Sequence, residues 1–250
     1  MPFDHEMQGR PRPKSVMARV PLWELAGGAN VNYDNPHGTI RGMKETGMTR
    51  LDLYVGHGQL ISDRSPARVE QIEGWARVAR QEGLLVSVWA YIVGVLDVGP
   101  LLDWRDRLSA VGVTMNIEIQ AKYDQGGRYE MMEECCAELA DRFDGPKQVT
   151  SYGDSPLSID FNALLRQGRN IHLAPQAYWD EFDWMTPDWS VDKAVKDYGF
   201  DPVQVHPWIG GSRIRFHTRQ EYHTNFARGL RHGWSYYRPE IIQDWRTWAG

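Results

Sequence analysis

The chain has 250 residues, 42% of them apolar and 24% charged, a balance that excludes disorder over most of its length. Its formal charge of −5 argues against a broad nucleic-acid surface, and no apolar run reaches the length of a membrane span. The only cysteines, Cys135 and Cys136, are adjacent, which excludes a disulfide framework and a cysteine-built zinc site.

Residues 1–18 are polar and carry Pro11 and Pro13, so they read as a short N-terminal arm, with no apolar core of a secretory signal. The expected localisation is cytoplasmic when made, or in a virion. From residue 19 to 250, strand-like runs alternate with amphipathic ones as one domain. The strand candidates are Arg19–Ala26, Arg50–Gly56, Leu84–Ile92, Val113–Gln120, Gln148–Tyr152, Ile171–Tyr178, Val203–Trp208 and Gly233–Arg238.

Helical signals fall between them. Gly38–Glu45 is short and holds two glycines. Ser65-Pro66 reads as an N-cap followed by a first-turn proline; Val69, Ile72, Ala76 and Ala79 then form one face, and Gly83 closes the helix. Leu101, Leu102, Trp104, Leu108 and Val111 pattern the next helix. Met132, Cys135, Cys136, Leu139 and Phe143 pattern another. Thr218 and Glu221 form a capping box before Tyr222, Phe226 and Leu230. Eight strand–helix units predict an α/β chain folded as a single (β/α)8 barrel. An open doubly wound sheet is the alternative, but Gly27-Gly28-Ala29-Asn30 after the first strand lacks the spacing of a dinucleotide loop.

Strand side chains alternate between faces, and in a barrel the apolar set meets the helices. The other set then fills the interior: Leu22 and Glu24, Asp52 and Tyr54, Ser87, Trp89 and Tyr91, Thr114, Asn116, Glu118 and Gln120, Thr150 and Tyr152, His172, Gln176 and Tyr178, Gln204, His206 and Trp208, and Tyr237. This interior is polar and aromatic toward the strand C-termini, where barrel enzymes carry their sites. It reads either as a ligand cavity or as an internal hydrogen-bond network. Aromatic walls suit the apolar faces of sugars. Glu118, a semi-buried carboxyl near the end of strand four, is the candidate acid, with Asn116 on the same face. The candidate ligand-binding residues are Glu24, Tyr54, Trp89, Tyr91, Tyr152, Gln176, His206, Trp208 and Tyr237. The ring-rich stretch Tyr178–Trp189 reads as a long loop over the mouth, either packing there or offering Trp179, Trp184 or Trp189 to a substrate.

Eight histidines include no H-x-H or H-E-x-x-H, so no metal is expected, nor any cofactor. No G-x-S-x-G elbow marks a serine nucleophile.

The run Thr114-Met115-Asn116-Ile117-Glu118 resembles the strand-four D-x-E signature of glycoside-hydrolase barrels of the chitinase and lysozyme type, with Asn in place of Asp. Leu173-Ala174-Pro175-Gln176 with Tyr178 resembles the sixth strand of plant-type chitinases. The resemblance implies a glycosidase acting on an N-acetylated glycan of cell-wall or chitin kind. In it Glu118 protonates the leaving oxygen, Asn116 orients the substrate acetamide, and Tyr178 or Tyr152 holds the acetamide oxygen. It also points to phage-encoded barrels of lysis or tail modules, with virion tail proteins as partners. The chain departs from the fuller chitinase pattern: residues 112–118 read GVTMNIE, and Ser87-Val88-Trp89-Ala90 replaces the strand-three S-x-G-G. A non-catalytic glycan-binding or structural tail barrel is therefore the second expectation, and a metal-assisted hydrolase the third.

Overall fold

The computed structural model describes residues 15–18, 36–45, 49–57, 61–91, 97–116, 137–152, 171–177, 184–209 and 235–236. They form a closed parallel barrel of eight strands in sequential order. The strands are β1 (Ser15–Ala18), β2 (Arg50–His57), β3 (Leu85–Tyr91), β4 (Val113–Asn116), β5 (Lys147–Tyr152), β6 (Ile171–Ala177), β7 (Trp208–Ile209) and β8 (Ser235–Tyr236). Helices described in the connections are α1 (Pro36–Glu45), α2 (Pro66–Gln81), α3 (Gly99–Arg107), α4 (described over residues 137–142) and α5 (Pro187–Tyr198). The chain is a (β/α)8 barrel.

The barrel starts earlier than the sequence suggests. Its first strand is Ser15–Ala18, within the stretch read as an arm, where Ser15 pairs with both Arg50 and Ser235. The expected strand at residues 19–26 contains Pro21, which cannot donate to a ladder, and it lies outside the described residues. The seventh strand is also displaced. Pro202–Gln204 forms a single 3-10 turn, Val205 makes one bridge to Leu173, and the strand proper is Trp208–Ile209. Pro202 and Pro207 bracket the segment and remove two donors that a continuous strand would need.

Alternation sorts the strand residues as expected. Leu51, Leu53, Val55, Val86, Val88, Val113, Met115, Val149, Ile171, Leu173 and Val205 join one large core with the helices. Each such side chain, fully withdrawn from water, contributes about 1.5–3 kcal/mol. α2 buries Val69, Ile72, Ala76 and Ala79 as its spacing predicts, together with Trp75, Val78 and Arg68. Gly83 ends it at φ 82°, a left-handed turn that suits glycine. The Ser65 hydroxyl does not cap α2; instead the Ser65 backbone N–H donates to Asp63 Oδ1 at 2.8 Å. α3 buries Leu101, Leu102 and Trp104, and Leu108 just beyond it, but Val111 is exposed because the helix has ended by then. Leu139 and Phe143 are buried at α4; Met132, Cys135, Cys136 and the Thr218 capping box lie outside the described residues.

α5 begins at Pro187, inside the stretch expected to be loop. Thr186 caps it by accepting from the Trp189 N–H at 3.2 Å, and Gly199 (φ 76°) closes it.

Candidate functional site in the barrel interior

The inward residues separate into two layers. The lower layer, toward the strand N-termini, is a hydrogen-bonded polar set. Arg50 Nε lies 2.9 Å from Asp52 Oδ1, and Arg50 Nη2 donates to Asp52 Oδ2 at 3.2 Å and to Gln148 Oε1 at 3.3 Å. Thr114 donates to the same Gln148 oxygen at 3.2 Å. Gln148 pairs in register with His172, whose Nδ1 is 3.1 Å from His206 Nε2. Burial holds the His172 imidazole below its usual pKa, and the Arg50 charge pushes it the same way, against a hydrogen bond to the Val203 backbone.

The upper layer, toward the strand C-termini, is built around Trp89. Its ring lies 4.7 Å from Tyr54, 5.2 Å from Tyr91 and 5.9 Å from Trp208, the last two edge-to-face. Such tilted pairs place a positive ring edge on a negative face and fix the rings against one another. Ala174 completes the cluster. The small residue on β6 leaves room for the two indoles. Both indoles are fully buried, whereas Tyr54 and Tyr91 keep 9% and 7% of their surface, so the phenols form the part of the cluster nearest water.

Polar side chains interleave with these rings by register. Tyr91 pairs with Asn116, Asn116 with Thr150, Tyr152 with Gln176, and Gln176 with Trp208. Asn116, Thr150 and Gln176 are buried. The Thr150 hydroxyl has no hydrogen-bond partner among the described residues. At the end of β2 the register to β3 shifts between Tyr54 and His57, and Gly56 takes φ 133°. A bulge of this kind re-aims the strand end beside the cluster.

The sequence-predicted site residues therefore fall into three groups. Tyr54, Trp89, Tyr91 and Trp208 meet in one cluster, and Asn116 and Gln176 lie on the same rim of the barrel. His206 does not stand with them in the way expected: its contact with His172 ties it to the lower layer, because the chain around it is held by a single bridge at Val205 and by the His206 N–H donating to the Leu173 carbonyl at 2.8 Å. Gln204 was expected inward but sits in the 3-10 turn, its amide 3.4 Å from the Ile171 carbonyl. Tyr152 ends β5, its side chain outside what is described; Glu24, Glu118, Tyr178 and Tyr237 lie outside the described residues. Among the described residues of the upper layer there is no carboxylate, and no three His, Cys, Asp or Glu side chains converge as metal ligands would.

One residue beside the site was missed. Arg68 on α2 is almost fully buried, donates to the Val55 carbonyl, and lies 3.6 Å from Asp63. Burial lowers its pKa, with Asp63 opposing. It clamps the C-terminal end of β2 from outside the barrel. The signal was present: Arg68, Ile72, Trp75 and Ala79 share one helical face, and an arginine there needs internal partners. Trp104 backs this corner, donating to the Ile61 carbonyl at 2.8 Å beneath the Arg64 guanidinium, 4.3 Å from its ring.

No protein-family model matches the chain, and no curated protein matches it in sequence. Solved structures do match in fold. The spore cortex-lytic enzyme SleL of Bacillus cereus superposes with a TM-score of 0.60 at 10% identity, over 96% of this chain and 74% of that one. A chitinase from Chromobacterium violaceum gives 0.50 at 10% identity, over 79% and 68%. N-acetylneuraminate lyase, a sialic acid aldolase, from Aliivibrio salmonicida gives 0.51 at 14% identity, over 91% and 69%. At such identities the likeness establishes the (β/α)8 fold. Its structural neighbours include a chitinase and a cortex-lytic enzyme alongside an aldolase.

Proposed function

We propose that the upper layer binds an N-acetylated glycan and that the chain is a glycoside-hydrolase-like barrel. The observation that carries this reading is the register of Tyr91, Asn116 and Thr150 beside the Trp89 cluster. It sets a buried amide next to aromatic faces at the end of β4, two residues before Glu118 in sequence.

In this reading the Glu118 carboxyl donates its proton to the glycosidic oxygen as the bond to the anomeric carbon breaks. The substrate's acetamide oxygen attacks that carbon, and the Asn116 side-chain oxygen accepts from the acetamide N–H to aim it. Water then opens the cyclic intermediate, giving its proton to the Glu118 carboxylate and restoring the acid. Tyr178 holds the acetamide oxygen, and Tyr54 and Tyr91 supply the sugar-facing walls, with Trp89 and Trp208 packed behind them. The interior favours this chemistry over that of an aldolase working through a lysine imine: no described inward strand position carries a lysine, and Lys147 on β5 bonds outward to the Phe143 and Gly145 carbonyls.

The second reading, a barrel that binds glycan without cutting it, is favoured by Asn116 where the resembling enzymes have Asp. Reducing-end release from peptidoglycan and from chitin oligosaccharides separates the two. Glu118→Gln should abolish release, by at least about a hundredfold, while leaving oligosaccharide binding within about threefold. Binding without release by wild type would establish the second reading; absence of both would end the first and the second together.

A further inference from the structure

The described residues expose four large apolar side chains: Leu85, Val111, Val203 and Trp184. The first three lie at the N-terminal ends of β3, β4 and β7. Trp184 alone lies in a connection that leaves a strand C-terminus, between β6 and α5. It is 50% exposed, yet its ring is fixed. It packs edge-to-face on Trp189 at 4.7 Å and 84°. The Trp189 backbone N–H donates to the Thr186 hydroxyl, and the Lys193 ammonium lies 5.3 Å from the Trp189 ring. Met185 and Pro187, on either side of the Thr186 cap, are buried and anchor the turn.

We propose that Trp184 is a second sugar-stacking position, outside the barrel cavity, that holds a distal pyranose ring of a glycan whose other end enters the upper layer. This deepens the glycan reading above and rests on it. The occupant follows from size and rigidity. A protein partner needs about 800 Å² from each side, and none of the other exposed large apolar residues described lies at this end of the barrel. One immobilised indole offers an area matched to one sugar ring, and its ordering cost is already met by Trp189. The position also fits the fold, since connections leaving strand C-termini build the ligand face of such barrels.

Affinity should then depend on oligosaccharide length. Calorimetric titration of wild type, Trp184→Ala and Trp184→Tyr with the di- and hexasaccharides of N-acetylglucosamine tests this. In Trp184→Ala the hexasaccharide should bind roughly three- to tenfold more weakly, the range of one aromatic contact. The disaccharide should be unaffected, and tyrosine should restore most of the loss. A thermal melt unchanged by the substitution confirms intact folding. Equal hexasaccharide affinity in wild type and Trp184→Ala would overturn the assignment while leaving the glycan reading in place. Failure of wild type to bind either sugar would overturn both.

Discussion

The two layers of the barrel interior are built on the same strands yet obey different rules. In the lower layer Arg50, Asp52, Thr114 and Gln148 answer one another, charge to charge and donor to acceptor, while the buried Ser87 hydroxyl, in register with Asp52, has no described partner. In the upper layer, one or two pleats further along, rings pack on rings and the Thr150 hydroxyl has no described partner. A buried polar group costs about 1–3 kcal/mol when unmatched, so a layer that matches its groups internally serves the fold. Each layer thus holds one buried hydroxyl without a described partner; what separates them is the ring cluster around Trp89 above and the charged Arg50–Asp52 pair below, and under the glycan reading proposed above the Thr150 hydroxyl awaits a ligand. The two layers therefore differ in what surrounds their polar groups: ring faces in the upper layer, charged partners in the lower.

The sharpest way to break this contrast is to cut the lower network. Asp52→Ala leaves the Arg50 guanidinium inside the barrel without its carboxylate, and should lower stability by about 3–5 kcal/mol in urea unfolding. An effect under about 1 kcal/mol would show that Arg50 finds water or another partner once Asp52 is gone. The histidine pair gives the next effect. Its 3.1 Å contact needs one ring nitrogen to donate and the other to accept, so it does not survive protonation of both rings. The groups facing it are cationic Arg50 and, through Arg50, anionic Asp52. Because His172 is held below its unfolded pKa, the unfolded chain takes up more protons than the folded one as pH falls below about 6.5. Stability is therefore full above that pH and declines below it, at up to about 1.4 kcal/mol per pH unit for one such histidine. His172→Asn should flatten this acid limb; an unchanged slope would assign the limb to other groups.

What was legible in the sequence follows the same division. Alternation of apolar and polar residues revealed the barrel and placed Tyr54, Trp89, Tyr91, Asn116 and Trp208 on its inner face, because a period of two survives any tertiary context that buries one side. Alternation says nothing of height within the barrel, and so it set His206 beside Trp208 as a site residue when its ring reaches down to His172. Partners in space were equally hidden. Gln148 and Arg50 are 98 residues apart, and only barrel closure brings them to 3.3 Å. Short elements escaped too: β1 is four residues, SVMA, overshadowed by the longer apolar run that follows it. The capping serine of α2 was read from residue type alone; the Asp63 carboxylate two residues earlier competed for the turn and took the Ser65 N–H.

The smallest expected effect tests the upper layer most directly. Thr150 is fully buried at the end of the register that runs from Tyr91 through Asn116, and its hydroxyl has no described partner. Thr150→Val keeps the branched shape and removes only that hydroxyl. In a structural layer the change would sever a bond and cost about 1 kcal/mol or more. In a layer arranged for a ligand the folded protein loses nothing and gains up to about 1 kcal/mol, because an apolar methyl replaces an unmatched polar group. The same substitution should weaken chitin-oligosaccharide binding about three- to tenfold, as expected for one hydrogen bond to a sugar hydroxyl. Unfolding in urea and calorimetric titration of the same variant therefore move in opposite directions if the upper layer is a binding site. If both fall together, Thr150 belongs with Gln148 and Thr114, and the boundary between the two layers lies one pleat higher than the rings suggest.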